Sequence, residues 1–303
     1  MKMKFKINFW RWLLKPMLLL LIVLCPVSFV RGNILSKSDK NSISSSFVAD
    51  SSLSHFWDHY QFSGSTIPVD SFATAFENYL SVLQSVPHKQ GLKAFGHFLK
   101  LISPNSYFEP ATEHLVDSLM FSAHASSYDD FYIAFLQRKL KRCRLSSSEK
   151  ERAEFRLKLL QSNLVGHLAS NFSFITREGV KGNLRKLPKD ADYIVIFFDP
   201  DCMQCQMLVS SLRSNLMLIE CIRKGRIHVL AVDTEPDIPM WERIKNDLPA
   251  SWTVACDEGT IQEEGSYDLR SYPAIYLLGK RQKVILKNAS LTTLLIQLER
   301  YFR

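Results

Sequence analysis

Cysteine is scarce in this chain, and that scarcity excludes one class of fold. Six cysteines, at positions 25, 143, 202, 205, 221 and 256 of 303, are too few and too scattered to staple a small disulfide scaffold. Acidic residues are missing from the first 32 positions, which instead hold Lys2, Lys4, Lys6, Arg11, Lys15 and Arg31. Of the net charge of +8, six units sit there, which leaves +2 for the rest. That is an ordinary surface, and no nucleic-acid partner is expected. Long apolar runs are missing as well. Met17 to Leu24 is a stretch of eight apolar residues, too short to span a bilayer comfortably.

The short run follows a basic segment and precedes Val30-Arg31-Gly32, so residues 1–32 read as an export signal cleaved near Gly32. Cys25 offers a lipidation alternative, against which Leu24 stands where a small residue belongs. Membrane association is therefore expected only through this segment, if it is left uncleaved or lipidated. Residues 33–52 are rich in Ser, Lys and Asn without periodicity and read as a linker.

Between 53 and 168 nothing reads as strand, and the apolar residues recur at helical spacing. Val69, Phe72, Ala73, Phe76, Tyr79, Leu80 and Leu83 share one face, and Leu92, Phe95, Phe98, Leu99 and Ile102 another. Pro110 is placed to open a third helix, and Asp129 or Asp130 to cap a fourth. Ser148-Glu-Lys-Glu151 fits a capping box for a fifth. Residues 53–168 are thus expected to form an all-α domain of about five helices.

The pattern changes in 169–303. Short apolar runs at 172–175, 193–198, 227–232, 252–255, 274–278 and 284–286 read as strands. Helical stretches at 203–223, 239–247 and 291–302 alternate with them, which predicts an α/β domain with a mixed sheet. The 46% hydrophobic content supplies a core for each domain.

Within this domain lies "IVIFFDPDCMQCQMLV", residues 194–209. The strand ends near Phe198, Pro200 stops it, and Asp201 is placed to cap a helix that carries Cys202 in its first position. Backbone N–H groups at such a helix start favour a thiolate. Cys205 lies one turn on and deeper, so one thiol can attack a disulfide and the other resolve it. Two other readings fit the spacing: half of a tetrahedral zinc site, and a pair of structural thiols. Zinc asks for a second ligand pair, whereas Cys143, Cys221 and Cys256 are single and His228 has no near partner. His55 and His59 have the i, i+4 spacing but fall in the helical domain.

A strand, a Cys-x-x-Cys at a helix start and a distant "SYPA" at 271–274 resemble the thioredoxin fold, and most of all the exported bacterial thiol-disulfide oxidoreductases of the TlpA/ResA type. The stretches "FFDPDCMQC", "VLAVDTEPDIPMWERI", "YDLRSYPAIYLL" and "KVILKNA" also resemble a family of secreted thioredoxin-like proteins of Gram-negative anaerobes with a helical domain of unknown function in front. "NLVGHLASNFSFITREG", at 163–179, is similar to the opening strand and turn of this type. The resemblance implies a thioredoxin-like C-terminal domain in which Cys202 attacks and Cys205 resolves. It implies a cis Pro273 that forms, with Tyr272, the wall on which a substrate backbone lies. Partners would be protein thiols and disulfides and an upstream dithiol electron donor, in the periplasm or cell envelope. No metal and no organic cofactor is implied.

Three departures bear on the chemistry. Asp201 replaces the tryptophan common before the first cysteine, and with Asp199 it is expected to oppose negative charge on Cys202. The positions where the family buries an acid beneath the second cysteine are here Ile196 and Leu208. Met203-Gln204, between the cysteines, carries neither charge nor proline. These departures keep a rival reading in view, an envelope binding or assembly protein whose helical domain contacts a partner and whose cysteines form a static disulfide.

Overall fold

Aromatic side chains at helical spacing build the first layer. The computed structural model describes residues 53, 55–60, 62, 69–102, 108–122, 126–142, 145–234, 237–257 and 259–302. The expected export signal, the linker, Cys25 and Cys143 lie outside them. Among the described residues, helices α1 (Val69–Ser85), α2 (His88–Leu101), α3 (Phe108–Met120), α4 (Asp129–Leu140) and α5 (Ser147–Gln161) come first. Phe72, Phe76, Phe95, Phe98 and Phe108 are fully buried in the core they share. Burial of such side chains contributes on the order of 2 kcal/mol each. Trp57 stacks on Phe98 at 4.8 Å between centroids and ties the segment before α1 to the same core.

Helix starts differ from the expectation at several points: α3 is described from Phe108, so Pro110 is its third residue and does not open it, and two caps of this layer differ as well. The capping box is Ser146 with Glu149, not Ser148 with Glu151: the Glu149 N–H donates to Ser146 Oγ, and the Ser146 N–H donates back to the Glu149 carboxylate at 2.9 Å. Three consecutive serines offer several caps, and the helix takes the one that starts it two residues earlier. At α4 the N-cap is Tyr128 with no side-chain bond, and neither Asp129 nor Asp130 caps. Both lie in the first turn, where Asp130 pairs with His88 and Asp129 with Arg270.

The second layer is a seven-stranded mixed sheet. Its strands are β1 (Ser173–Thr176), β2 (Lys181–Asn183), β3 (Asp192–Phe198), β4 (Ile227–Asp233), β5 (Thr253–Cys256), β6 (Ala274–Gly279) and β7 (Lys283–Leu286). They stand in the order β2-β1-β5-β4-β3-β6-β7, with β3, β4 and β5 parallel and the other pairs antiparallel. The interior strand β3 is buried from Tyr193 to Phe198, a run of apolar and aromatic residues, because both its faces are covered. One face packs against α6 (Met203–Arg213), α7 (Leu216–Arg223), α8 (Ile238–Ile244) and α10 (Leu291–Phe302). The other is covered by connecting segments and by Ile261 of the short α9 (Thr260–Glu263).

The continuous helix expected over 203–223 is broken in two. Ser214 ends α6, and the side chain of Asn215 accepts the Leu218 N–H at 2.9 Å and starts α7. Strand β2 was not expected because Lys181-Gly182-Asn183 has no apolar alternation. It forms as the return arm of a hairpin on β1, turning at Gly179 with φ +80°.

Replacing Ser146 by Ala is expected to cost about 1 kcal/mol of stability, whereas Ser148→Ala leaves stability within about 0.5 kcal/mol. Chemical denaturation of the two variants reads the difference, and equal losses would place the cap elsewhere.

Candidate active site

The turn after β3 builds the site. The Asp199 carbonyl accepts the Cys202 N–H at 3.2 Å, and its carboxylate accepts the Asp201 N–H at 2.8 Å. This double hold delays the helix by one residue, so the N-cap is Cys202 and not Asp201. The thiol takes the part a serine or aspartate usually plays: Cys202 Sγ accepts the Cys205 N–H at 3.4 Å. A backbone amide at a helix start therefore points at the first sulfur. Cys202 is half-buried, whereas Cys205 is 1% exposed, on the inner face of α6 with Leu208 and Leu212. Both are free thiols. Gln206 closes the turn by donating to the Pro200 carbonyl at 2.9 Å.

The second half of the site comes from 70 residues further on. Strand β6 runs antiparallel to β3 with Ala274 opposite Phe197, so the residues before Ala274 lie beside the turn after β3. The Tyr272–Pro273 peptide is cis, as the resemblance implied. The Cys202 thiol donates to the Tyr272 carbonyl at 3.7 Å. The Tyr272 hydroxyl and Thr234 Oγ1, at the end of β4, are 2.7 Å apart, which holds the tyrosine from its far end. Cys202, Cys205, Tyr272 and Pro273 are thus brought to one place. Thr234 and Gln206 belong to it too, and nothing in the local sequence marked them.

Electrostatics separates the two sulfurs. Burial pushes the Cys205 thiol up to about 12 from its ordinary 9.0, and the neighbouring Cys202 and Asp199 add to the rise. A hydrogen bond from the Asp199 backbone works the other way. Ile196 and Leu208 are both buried apolar residues, so neither family position supplies a proton acceptor. Asp199 is half-buried and acts on Cys205, whereas Asp201 is exposed to solvent. A cleft of about 280 Å³ reaches Cys205, with Asp199, Gln206, Arg213 and Asp247 among its lining residues.

The remaining described cysteines are less exposed than Cys202. Cys221 and Cys256 are buried in the core beneath the sheet. His55 turns to Asp58 at 2.6 Å, and His59 is exposed. Among the described residues no three His, Cys, Asp or Glu side chains gather as a metal ligand set.

Comparison with known proteins bears on the fold. Over 90% of its length the chain superimposes on the whole of a thioredoxin-like protein from Bacteroides caccae, with TM-score 0.73 and 23% identity. The chain is also similar to the thioredoxin domain of a thiol-disulfide oxidoreductase from Bacteroides vulgatus, at 19% identity over 47% of this chain and 100% of that one, TM-score 0.41. A C-terminal domain of an uncharacterized protein from Bacteroides fragilis is 29% identical over 46% of this chain and 97% of its own length, TM-score 0.43. Residues 49–163 match a family described as Domain of unknown function (DUF5106). No curated protein matches the chain. The C-terminal part of the protein is thioredoxin-like, and an all-helical region precedes it.

Because Cys205 becomes a thiolate only as pH climbs toward about 12, iodoacetamide at about pH 8 should label Cys202 first and Cys205 slowly. In folded Cys202→Ser protein, Cys205 labelling should keep rising beyond about pH 10, where a denatured control, whose thiol has its ordinary value of 9.0, has levelled off. Mass spectrometry of the labelled peptides reads this, and a faster Cys205 in the native protein would refute the burial order.

Proposed function

We propose that the protein is an exported thiol-disulfide oxidoreductase of the cell envelope that exchanges disulfides with protein substrates through Cys202 and Cys205. One observation carries the reading: a half-exposed sulfur is held between a helix-start amide and the Tyr272 carbonyl, with a buried thiol one turn behind it. The basic segment, short apolar run and Val30-Arg31-Gly32 of residues 1–32 support export.

The chemistry follows from the difference between the sulfurs. The Cys202 thiolate attacks one sulfur of a substrate disulfide; a Cys202–substrate bond forms, the substrate bond breaks, and the departing thiolate takes up a proton. Cys205 then gives up its proton and attacks Cys202 Sγ. A Cys202–Cys205 disulfide forms and the second substrate thiol leaves, so two electrons pass from the protein to the substrate. An upstream dithiol restores the pair by the same steps in reverse. With no acid at 196 or 208, the Cys205 proton leaves through water in the adjoining cleft or to Asp199. The Tyr272 and Pro273 backbone forms the wall for an extended substrate segment, in the manner of strand addition. Met203 and Met207 on α6 are 74% and 64% exposed beside Cys202 and offer adaptable apolar contact to protein substrates.

The expected result of a glutathione or dithiothreitol titration is a reversible two-electron couple between about −120 and −270 mV. Cys202→Ser abolishes exchange, and Cys205→Ser accumulates the mixed disulfide, seen as an adduct by mass spectrometry. A couple well below about −300 mV, or one that cannot be cycled, is the behaviour of a structural disulfide. That result would hand the function to the helical region as a binding or assembly module.

A further inference from the structure

The connector from α9 to β6, residues 264–273, ends in the Tyr272–Pro273 wall, and the helical layer holds it at successive points. Lys158 of α5 donates to the Glu264 carbonyl at 2.6 Å. The Phe155 ring lies over Gly265, where φ is +59° and an added Cβ would sit 2.9 Å from the ring. Asn163 donates through Nδ2 to the Ser266 carbonyl at 2.7 Å, while its Oδ1 accepts the Ser170 N–H at 2.6 Å.

The last hold lies closest to the site. Arg270, two residues before Tyr272, donates through Nη2 to Asp129 of α4 at 2.9 Å. Through Nε and Nη2 it also grips Asp268 of its own connector, at 2.9 and 2.7 Å. The guanidinium lies 5.0 Å over the Phe121 ring and its side chain is 10% exposed; the Asp268 side chain is 1% exposed. Lys287, which donates to the Leu160 and Ser162 carbonyls, supplies a second cation near the two carboxylates. Asp129 keeps 22% of its side chain exposed, but Arg270 and Asp268 are nearly dry, so moving the aspartate away leaves a largely buried guanidinium less well matched.

We propose that the helical layer fixes the substrate wall of the exchange site, with Asp129 as a positioning residue that acts through Arg270 on Tyr272 and Pro273. This rests on the reading of Cys202 and Cys205 as an exchange pair. Asp129 touches neither the sulfurs nor the substrate. It sets where the Tyr272 backbone stands, and so how well an extended substrate chain is presented to Cys202. A small disulfide that makes no backbone contact has no need of the wall.

The test compares wild type, Asp129→Asn and Asp129→Glu as full chains. Asparagine keeps the shape and removes the charge; glutamate keeps the charge. The probes are insulin, whose disulfides lie in a folded chain, and the small disulfide 5,5′-dithiobis(2-nitrobenzoate). For Asp129→Asn, KM for insulin should rise about tenfold with kcat within about twofold. Its rate with the small disulfide and its Cys202–Cys205 potential should match wild type, and Asp129→Glu should recover most of the KM. Lys158→Met, on the exposed face of α5, should move KM the same way by less and provides a variant if Asp129→Asn does not fold. An unchanged KM in both variants overturns the proposal. So does a joint fall of the insulin rate, the small-disulfide rate and the melting temperature, which marks a merely structural residue. If wild type exchanges no disulfide at all, the exchange reading has failed. Amide hydrogen exchange over 266–273 then decides the clamp by itself: faster exchange in Asp129→Asn, reversed by glutamate, upholds it, and unchanged protection refutes it.

Discussion

The antiparallel pairing of β3 with β6 is the constraint on which the rest of the site depends. Its register sets Ala274 opposite Phe197, so the turn leaving β3 and the connector entering β6 must meet at one end of the sheet. Everything chemical follows from that meeting. The turn presents Cys202 as a helix cap, and the connector presents the Tyr272 carbonyl to its sulfur. The register is strongly determined because β3 is apolar on both faces. A slip by one residue would exchange the side chains between two filled cores. The hydrophobic sheet centre therefore positions polar chemistry at its rim, at some distance from any residue that reacts.

Burial divides the labour between two identical side chains. Cys202 sits where the helix begins and solvent reaches; Cys205 sits one turn deeper in the core beneath the sheet. The same helical turn that brings the thiols together thus gives them different surroundings. An apolar surround at Ile196 and Leu208 stabilises the sheet packing, yet it leaves neither of those two positions able to take the deeper thiol's proton. On the proposed reading, the second step draws on the cleft and Asp199, groups at the edge of the core. On that same reading, the fold keeps an attacking geometry while the proton route moves outward.

Much of this was legible in the sequence, and the gaps have physical causes. The expected strands agree with those observed to within one or two residues, because apolar runs bounded by polar turns leave few alternatives. The Cys-x-x-Cys and "SYPA" stretches announced both halves of the site. What failed was local choice among equivalent polar residues. Ser146 and Ser148 both precede a glutamate at the right spacing, and only the folded chain decides between them. Asp201 and Cys202 compete for one cap, and Asp199 settles it by holding the Asp201 amide. Strand β2 has no pattern of its own and exists because β1 offers it an edge.

Asp129 is the most instructive of these failures. By sequence it is a helix cap, the ordinary use of an aspartate after a turn. In the fold it turns away from its own helix to a partner 141 residues along the chain. An ion pair of that kind repays its desolvation only if both groups are held in place by their surroundings. Here Phe121, Asp268 and the α4 backbone do so. A merely adhesive contact between the two layers would be served as well by apolar side chains. A charged pair adds a fixed direction, and the element it directs is the connector that carries Tyr272. That is why the helical layer is better understood as part of the site than as a neighbour of it.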